Sequence, residues 1–216
     1  MGTIYDCVVV ANGSFPQTAG PLELLKSAPA IIACDGAVQN LHERGLEPAA
    51  IVGDLDSIPQ EMLRLYADRI HTVEDQEIND LTKAVRFAHA AGYRKLLILG
   101  ATGLREDHTL GNISLLMDYA PLFEQVEMLS DYGHFIPVQQ TTTLPSTPGQ
   151  QISIFSMYPV WRNNHRRSPL AHHPPSPDSL VARKPQRSPG KRVHPHPLTG
   201  SPGNRLFPNP FPLTVN

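Results

Sequence analysis

Short apolar runs alternate with helical patterns from residue 6 to about residue 130, and this alternation restricts the possible folds more than any other feature. Near-continuous apolar strands joined by helices are typical of a mostly parallel sheet that is covered on both faces. Several of the helical segments end at a glycine, such as Gly45 or Gly92, which is a common C-terminal stop. We therefore predict an α/β domain over residues 1–130, with strands at 6–11, 30–34, 49–53, 70–74, 95–100 and 125–129, and helices at 21–28, 37–45, 59–67, 79–92 and 108–120.

The segments that follow the predicted strands are rich in acidic residues and glycine. The carboxyl ends of parallel strands share one edge of the sheet, and ligands of α/β proteins bind there. The composition of these segments favours a site for an anion and a metal ion over ordinary solvated loops. The residues offered at this edge are Asn12, then Asp35 and Gly36, then Asp54, Asp56 and Ser57, then residues 75–80, and finally Thr102, Gly103, Arg105, Asp107 and His108.

Two aspartates separated by one residue, Asp54 and Asp56, follow the third apolar run. Asp and Ser often end a strand by forming a turn through bonds to their own backbone, so a purely structural role is one interpretation. If the strand instead continues through Asp56, the two carboxylates lie on one face, about 6.5 to 7 Å apart at Cα. Such a pair would raise the pKa of one member, and a cation such as Mg²⁺ would remove that conflict.

The segment DQEINDLTKA, residues 75–84, offers a third carboxylate in Asp80. Asp80 opens a predicted helix, and either Asn79 or Asp80 could serve only as its N-cap. Lys83 lies one turn later, where it could bind a phosphate or simply pair with Asp80.

The segment GATGLREDHTLGN, residues 100–112, combines glycines with a cation and a helix start. Gly100 and Gly103 permit close backbone approach, and Arg105 could bind a phosphate through two nitrogens. The segment is not a Walker A loop, because it has no Gly-Lys-Ser/Thr. His108 at the helix start is more often a capping or packing residue than a catalyst.

Four motifs, ACDGA (33–37), GDLDS (53–57), DQEINDLTKA (75–84) and GATGLREDHTLGNISLL (100–116), have the order and spacing seen in bacterial thiamine pyrophosphokinases. Residues 4–159 resemble that family. The resemblance implies Mg²⁺-dependent transfer of pyrophosphate from ATP to the thiamine hydroxyl, giving thiamine diphosphate and AMP. It also implies an α/β nucleotide domain, a C-terminal β-sandwich, and a homodimer with active sites between the subunits.

The resemblance assigns roles to residues that match the family's motifs. Asp54, Asp56 and Asp80 would hold Mg²⁺ and the phosphates, and Asp107 is a candidate general base. Such transfer depends mostly on positioning and on charge neutralisation. The residues that would contact the nucleotide or the reacting hydroxyl are Gln76, Lys83, Arg105, Asp107, His108 and Asn112.

The character of the chain changes twice after residue 130. Residues 131–160 alternate in polarity and carry turn signals at Pro145 and Pro148-Gly149, which predicts short antiparallel strands at the start of a truncated β-sandwich. Residues 1–160 hold 19 acidic and 9 basic side chains, a net charge of −10. Residues 161–216 hold one acidic and 9 basic side chains, a net charge of +8, and 12 of the 22 prolines. Such a tail cannot bury a core and is predicted to be disordered.

A one-base shift of reading frame near codon 160 would explain this tail. Residues 161–170 can be encoded so that dropping one base gives GGITTEGLRW, and residues 178–194 similarly permit TLSWQGSLNEALGNEFT. Both readings resemble the family's sandwich and both use the same shifted frame. We interpret residues 161–216 as out-of-frame sequence, which would impair thiamine recognition, dimerisation and turnover in this chain.

The remaining features concern location and partners. Cys7 and Cys34 lie in apolar runs, so we expect two buried free thiols in a reducing cytoplasm. The N-terminal segment lacks a signal-peptide pattern, and no apolar run approaches the ~20 residues of a membrane span. We expect thiamine and ATP as partners, and neither a membrane nor a nucleic acid.

Two other functions remain open at this stage. One is a different Mg²⁺-dependent nucleotide transferase that uses the same aspartates. The other is a non-enzymatic module that binds nucleic acid through the basic tail, which would make binding strongly salt-dependent.

Overall fold

The computed structural model describes residues 5–146, 149–156, 186–187 and 211–215. The chain forms two compact units that divide between Gln139 and Gln140. The predicted boundary at residues 130/131 lies nine residues earlier, and the difference arises because a short strand after residue 130 pairs with the sheet of the first unit.

The first unit is an α/β layer structure, as predicted. Its sheet has the strand order β4-β3-β2-β1-β5-β6-β7, and all strands are parallel except β7. The strands are β1 (Cys7–Val10), β2 (Ile31–Cys34), β3 (Ala50–Gly53), β4 (Ile70–Thr72), β5 (Lys95–Leu99), β6 (Gln125–Leu129) and β7 (His134–Phe135). The helices are α1 (Ala19–Lys26), α2 (Ala37–His42), α3 (Gln60–Leu65), α4 (Asp80–Ala90) and α5 (Glu106–Tyr119), with 3₁₀ turns at Ala67–Arg69 and Ala120–Leu122.

Helices cover both faces of this sheet. Every residue of β1, β2 and β3 is buried, which explains why their sequences are apolar throughout rather than alternating. On one face α4 and α5 pack through side chains such as Val85 and Leu116. On the other face α1, α2 and α3 pack through side chains such as Leu25, Leu41 and Met62.

The strand order reverses at β1, which lies between β2 and β5. Ligands of open α/β sheets bind at such a reversal, beyond the carboxyl ends of the strands. Two glycines allow the segments after β1 and β5 to touch there. A Cβ on Gly13 would lie 2.4 Å from the carbonyl oxygen of Gly100, and one on Gly100, whose φ is +67°, would lie 2.5 Å from that of Ala11.

Cys7 and Cys34 are buried free thiols, as predicted. Burial raises the pKa of Cys7 to about 12 and raises that of Cys34 as well. In the part of the chain that the structure describes, no helix has the length and apolar character needed to cross a membrane.

The second unit contains short antiparallel strand pairs. β8 (Thr142–Ser146) pairs with β11 (Phe211–Val215), and β9 (Gln151–Ile152) pairs with β10 (Gln186–Arg187). Pro145 lies inside β8, so the turn predicted there is wrong, whereas Gly149 does lie in a turn, with φ +83°. The predicted disorder of residues 161–216 falls mostly outside the described residues and stays a prediction.

Candidate functional site

Three carboxylates from separate connections of the sheet meet at its carboxyl edge. Asp35 follows β2, Asp54 follows β3, and Asp80 is the first residue of α4. One oxygen of each lies within 4.8 Å of the others. Because β2 and β3 are neighbours in the sheet and α4 packs against both, three residues far apart in sequence form one group. We call Asp35, Asp54 and Asp80 the carboxylate group.

Asp35 is the most enclosed member of the carboxylate group, with 5% of its surface exposed. The Ser57 hydroxyl donates a short hydrogen bond to its Oδ2, whereas Oδ1 is buried and has no hydrogen-bond partner among the described residues. Burial raises the pKa of Asp35, and the charges of Asp80 and Asp54 raise it further, although the bond from Ser57 opposes both effects. A buried carboxylate oxygen without a partner is costly, and a cation would relieve that cost.

The backbone around Asp35 is shaped for this position. Its φ is +41°, a conformation that residues other than glycine seldom adopt. A Cβ on Gly53 would lie 2.8 Å from Cβ of Asp35, which explains the glycine before Asp54. Ser57 also accepts a hydrogen bond from the amide of Gly36, at 3.2 Å, and so fixes the turn after β2.

The segment GDLDS forms a turn rather than a continued strand. β3 ends at Gly53, Leu55 has a φ of +72°, and the amide of Asp56 donates to Oδ1 of Asp54 at 3.3 Å. Of the two alternatives, the strand does not continue through Asp56, and the turn is the one that forms. Asp56 is exposed and is not part of the carboxylate group, so its role as a metal ligand stays a prediction.

Asn79 and Asp80 have different roles: Asn79 caps α4, and Asp80 belongs to the carboxylate group. Asn79 is the N-cap of α4, because its side chain accepts from the amide of Thr82 at 2.9 Å. Asp80 is thereby free to join the carboxylate group. Gln76 contacts the carboxylate group as well, since its Nε2 donates to Oδ2 of Asp54 at 3.3 Å.

Lys83 pairs with the carboxylate group. The side chain of Lys83 is only 2% exposed. Its ammonium donates to Oδ1 of Asp80 at 2.9 Å and lies 3.8 Å from Oδ2 of Asp54. Burial acts to lower the pKa of Lys83, but the hydrogen bond to Asp80 and the nearby carboxylates outweigh it, so that the pKa is raised. The lysine therefore carries its charge and neutralises part of the negative charge of the group.

The segment after β5 is held mainly by contacts within the protein. Arg105 and Asp107 are exposed and form a bidentate pair, with distances of 3.1 Å from Nε to Oδ1 and 2.6 Å from Nη2 to Oδ2. This pair lowers the pKa of Asp107 to about 2. A carboxylate of such low pKa is a weak base at neutral pH. His108 is exposed in the first turn of α5.

Asn112 is buried, and its amide connects two parts of the site. Its Oδ1 accepts from Nδ2 of Asn79 at 3.0 Å, and its Nδ2 donates to the carbonyl of Ala101 at 2.8 Å. The start of α4 is thereby tied to the segment after β5. The structure gives Asn112 a positioning role, and its predicted contact with substrate stays a prediction.

The remaining predicted residues lie where β1 and β5 end. Asn12 is exposed beside Gly36, since a Cβ on that glycine would lie 2.8 Å from Nδ2 of Asn12. The carbonyls of Thr102 and Gly103 accept hydrogen bonds from the amide and the hydroxyl of Ser14, at 2.8 and 2.9 Å.

The sequence placed Asp35 at the substrate-binding edge of the sheet but named Asp54, Asp56 and Asp80 as the metal ligands, so the place of Asp35 in the carboxylate group was missed. The motif ACDGA gave the residue, but only the adjacency of β2 and β3 shows that its carboxylate reaches Asp54. Asn79 as a link to Asn112 was likewise missed, because the two residues are 33 positions apart.

Comparison with known proteins identifies a family for the fold and its motifs. The family model "Thiamin pyrophosphokinase, catalytic domain" matches residues 22–129, which is half of the chain. Thiamine pyrophosphokinase 1 of Oryza sativa subsp. japonica is 35% identical over 95 residues, covering 39% of this chain and 35% of that protein. Thiamine pyrophosphokinase 1 of Arabidopsis thaliana is 28% identical over 155 residues, covering 60% and 56%. The matched parts thus span about a third to just over half of those relatives.

A solved structure of a thiamin pyrophosphokinase family protein from Enterococcus faecalis has a similar fold. Its TM-score is 0.56 at 20% sequence identity, and the match covers 71% of this chain and 76% of that one. At this identity the likeness concerns the fold alone. Together with the match over residues 22–129, it leads to one conclusion: the chain belongs to the thiamin pyrophosphokinase catalytic domain family.

Proposed function

We propose that this chain carries the catalytic unit of an ATP:thiamine diphosphotransferase. The reaction would transfer pyrophosphate from ATP to the hydroxyl of thiamine, releasing AMP. Family membership supports this proposal. The observation that carries it is the carboxylate group with a charged lysine beside it and an unpartnered, buried oxygen on Asp35.

The carboxylate group fits a divalent cation that prefers oxygen ligands. Two oxygens on one Mg²⁺ lie at most about 4.2 Å apart, and the oxygens of the group all lie within 4.8 Å of one another, so at most a small closing movement would bring them onto one ion. Asp35, Asp54 and Asp80 would hold the ion, and Asp56 could add a further oxygen. The ion would supply charge neutralisation for the phosphates.

The chain's own cations and amides would orient the substrates. Lys83 provides a fixed positive charge beside the carboxylate group. Arg105 could turn from Asp107 to the phosphates, and that movement would release Asp107, the predicted base, from the partner that lowers its pKa. The proposed binding surface is completed by seven further residues: Asn12, Gly36, Ser57, Gln76, Thr102, Gly103 and His108.

The test is product formation. The purified chain, and in parallel a version in which the reading frame after codon 160 is restored, are incubated with ATP, Mg²⁺ and thiamine. AMP and thiamine diphosphate are quantified, with thiamine omitted as the control. AMP release that requires thiamine supports the proposal. Pyrophosphate release with another acceptor would instead indicate a nucleotidyltransferase and would contradict it.

We infer further that turnover is impaired in this chain, because the sequence after residue 160 changes in charge and proline content and has a family-like alternative frame. Resequencing the gene across codon 160 tests the shift itself. Comparing this chain with a version whose frame is restored tests the consequence, and equal turnover by both would contradict it. We propose a cytoplasmic homodimer for the restored protein, which sedimentation can check.

A further inference from the structure

The segment after β1 is fastened to its surroundings along its length. We call residues 12–18 the β1 exit loop. Near its start, the amide of Gly13 donates to the carbonyl of Gly100 at 2.7 Å, and Ser14 bonds to the segment after β5 as described above. In its middle, Phe15 is buried and the guanidinium of Arg44 lies 4.2 Å from the centre of its ring.

The end of the β1 exit loop is held by a single carboxylate, that of Asp131. Its Oδ1 accepts from the amides of Gln17 and Thr18, at 3.1 and 2.9 Å, and from the hydroxyl of Thr18 at 2.7 Å. Its Oδ2 accepts from the amide of Gln17 at 3.0 Å. These backbone amide bonds and the Thr18 hydroxyl lower the pKa of Asp131, so the carboxylate is charged.

Asp131 supplies what α1 lacks. The N-cap residue of α1, Thr18, makes no capping bond of its own, and the first turn of the helix has no acidic residue. The amides that Asp131 binds belong to Gln17 and Thr18, just before the first helical residue Ala19. A carboxylate at this end of a helix interacts favourably with the helix dipole. Here that carboxylate comes from a residue 113 positions away.

Asp131 is itself rigidly placed. It lies in the turn between β6 and β7, where the amide of Ser130 donates to the carbonyl of Gly133 at 2.9 Å. The Ser130 hydroxyl oxygen accepts from the amides of Tyr132 and Gly133, at 3.2 and 3.1 Å. A fixed turn therefore sets the position of the loop end.

We propose that Asp131 is a positioning residue for the substrate site, acting by fixing the β1 exit loop so that Asn12 stays beside Gly36, which directly follows Asp35 in the chain. This inference rests on the proposed function. Asn12 is the exposed end of a loop whose amides at positions 13, 14, 17 and 18 are already bonded within the protein. Asp131 holds the loop at residues 17 and 18, whereas Gly13 and Ser14 hold it close to Asn12. We expect loss of the Asp131 bonds to reach Asn12 through residues 13–16, without altering Asp35, Asp54 or Asp80.

The experiment compares Asp131→Ala with Asp131→Asn. Asparagine can keep all three bonds to Oδ1 and loses only the charge and the bond to Oδ2, whereas alanine loses every bond. Thr18→Val removes one bond, and Asp68→Ala removes an exposed carboxylate that makes no side-chain hydrogen bond to a described residue. The measurements are the Kd of a non-hydrolysable ATP analogue with Mg²⁺, the Kd of Mn²⁺ alone, and amide hydrogen exchange over residues 12–18.

We expect Asp131→Ala to weaken binding of the analogue about tenfold, the loss that ~1.4 kcal/mol of misplaced contacts produces. Asp131→Asn and Thr18→Val should each weaken it about threefold, and Asp68→Ala should match the wild-type chain. Exchange at residues 17 and 18 should accelerate in the same order, while the affinity for Mn²⁺ stays unchanged. Where turnover is measurable, KM for ATP should rise more than kcat falls.

The outcomes separate the two proposals. If the wild-type chain binds the analogue and Asp131→Ala binds it equally well despite faster exchange, the positioning role is overturned and the proposed function stands. If Asp131→Ala does not fold, equal weakening by Asp131→Asn and Asp68→Ala overturns the role. If the wild-type chain binds neither Mn²⁺ nor the analogue, the proposed function fails, and the positioning role fails with it.

Discussion

Two carboxylates of the first unit that are largely shielded from solvent differ in how their oxygens are satisfied. Glu127, on β6, has 13% of its side chain exposed, and its Oε2 accepts from Tyr5 Oη at 2.5 Å and contacts His134 Nε2 at 2.6 Å. Its Oε1 accepts from Nε2 of Gln125 at 3.0 Å. Asp35, at the carboxyl edge, has a buried oxygen without such a partner and two further carboxylates nearby.

The same chemical group therefore experiences opposite environments. Burial acts to raise the pKa of Glu127, but the bonds from His134 and Tyr5 outweigh it and the pKa is lowered. At Asp35 burial and neighbouring charges act together, and the pKa is raised. A carboxylate with all its partners within the fold stabilises the fold, whereas one that lacks them is arranged for a ligand.

The largest effect is expected at Asp35. Asp35→Asn keeps an oxygen that can accept from Ser57 but removes one charge from the carboxylate group. We expect turnover, measured as thiamine-dependent AMP release in the frame-restored protein, to fall about a thousandfold, as for other losses of groups that stabilise transition-state charge. The thermal midpoint should stay the same or rise, because a buried charge is removed. Unchanged turnover would remove Asp35 from the proposed site.

At Glu127 we expect the opposite pattern: substitution lowers stability but leaves cation binding unchanged. Glu127→Gln can keep an oxygen for Tyr5 and His134 but loses the negative charge that strengthens those bonds, and its NH₂ group cannot accept from Nε2 of Gln125, so we expect the free energy of unfolding to fall by about 2 kcal/mol. The affinity for Mn²⁺ should not change. The matched control is Glu124→Gln, an exposed residue one strand position before Gln125. Equal stability of the two variants would contradict the comparison.

The lowered pKa of Glu127 also predicts how the stability of the chain depends on pH. Because its pKa is lower in the folded chain than the ordinary value of 4.5, its contribution to stability is present above pH 4.5 and is lost as pH falls through the folded pKa. The wild-type chain should therefore lose more stability than Glu127→Gln when denaturant unfolding is repeated from pH 5 downward. Parallel curves for the two proteins over that range would be the contrary result.

A smaller effect on stability and binding is expected when Asn112 is substituted. This buried side chain ties the start of α4 to the segment after β5. Asn112→Ala leaves Nδ2 of Asn79 and the carbonyl of Ala101 without their partner. We expect a loss of about 1 kcal/mol in the free energy of unfolding and a threefold weaker affinity for the ATP analogue. Asn112→Asp can accept from Asn79 but turns a carboxylate oxygen toward the carbonyl of Ala101 at a buried position, so it should be at least as destabilising as Asn112→Ala. An unaltered affinity in Asn112→Ala would show that the tie to α4 does not position the site.

Local features of the site were predictable, whereas its long-range contacts were not. The N-cap at Asn79 and the turn at Asp54 involve residues two or three positions apart, and sequence patterns encode such contacts directly. Asp35 with Asp54, Glu127 with Tyr5, and Asp131 with Thr18 join distant parts of the chain. No local sequence pattern predicts those contacts.

The sequence by itself determined the α/β class, the approximate positions of strands β1 to β6 and of the helices α1 to α5, and the polar character of the edge where the strands end. Periodicity and turn chemistry depend on near neighbours, so they can be seen in a single chain. Only the tertiary structure decided that Asp35 rather than Asp56 joins Asp54 and Asp80, because strand order and the turn at Leu55 decide which carboxylates meet.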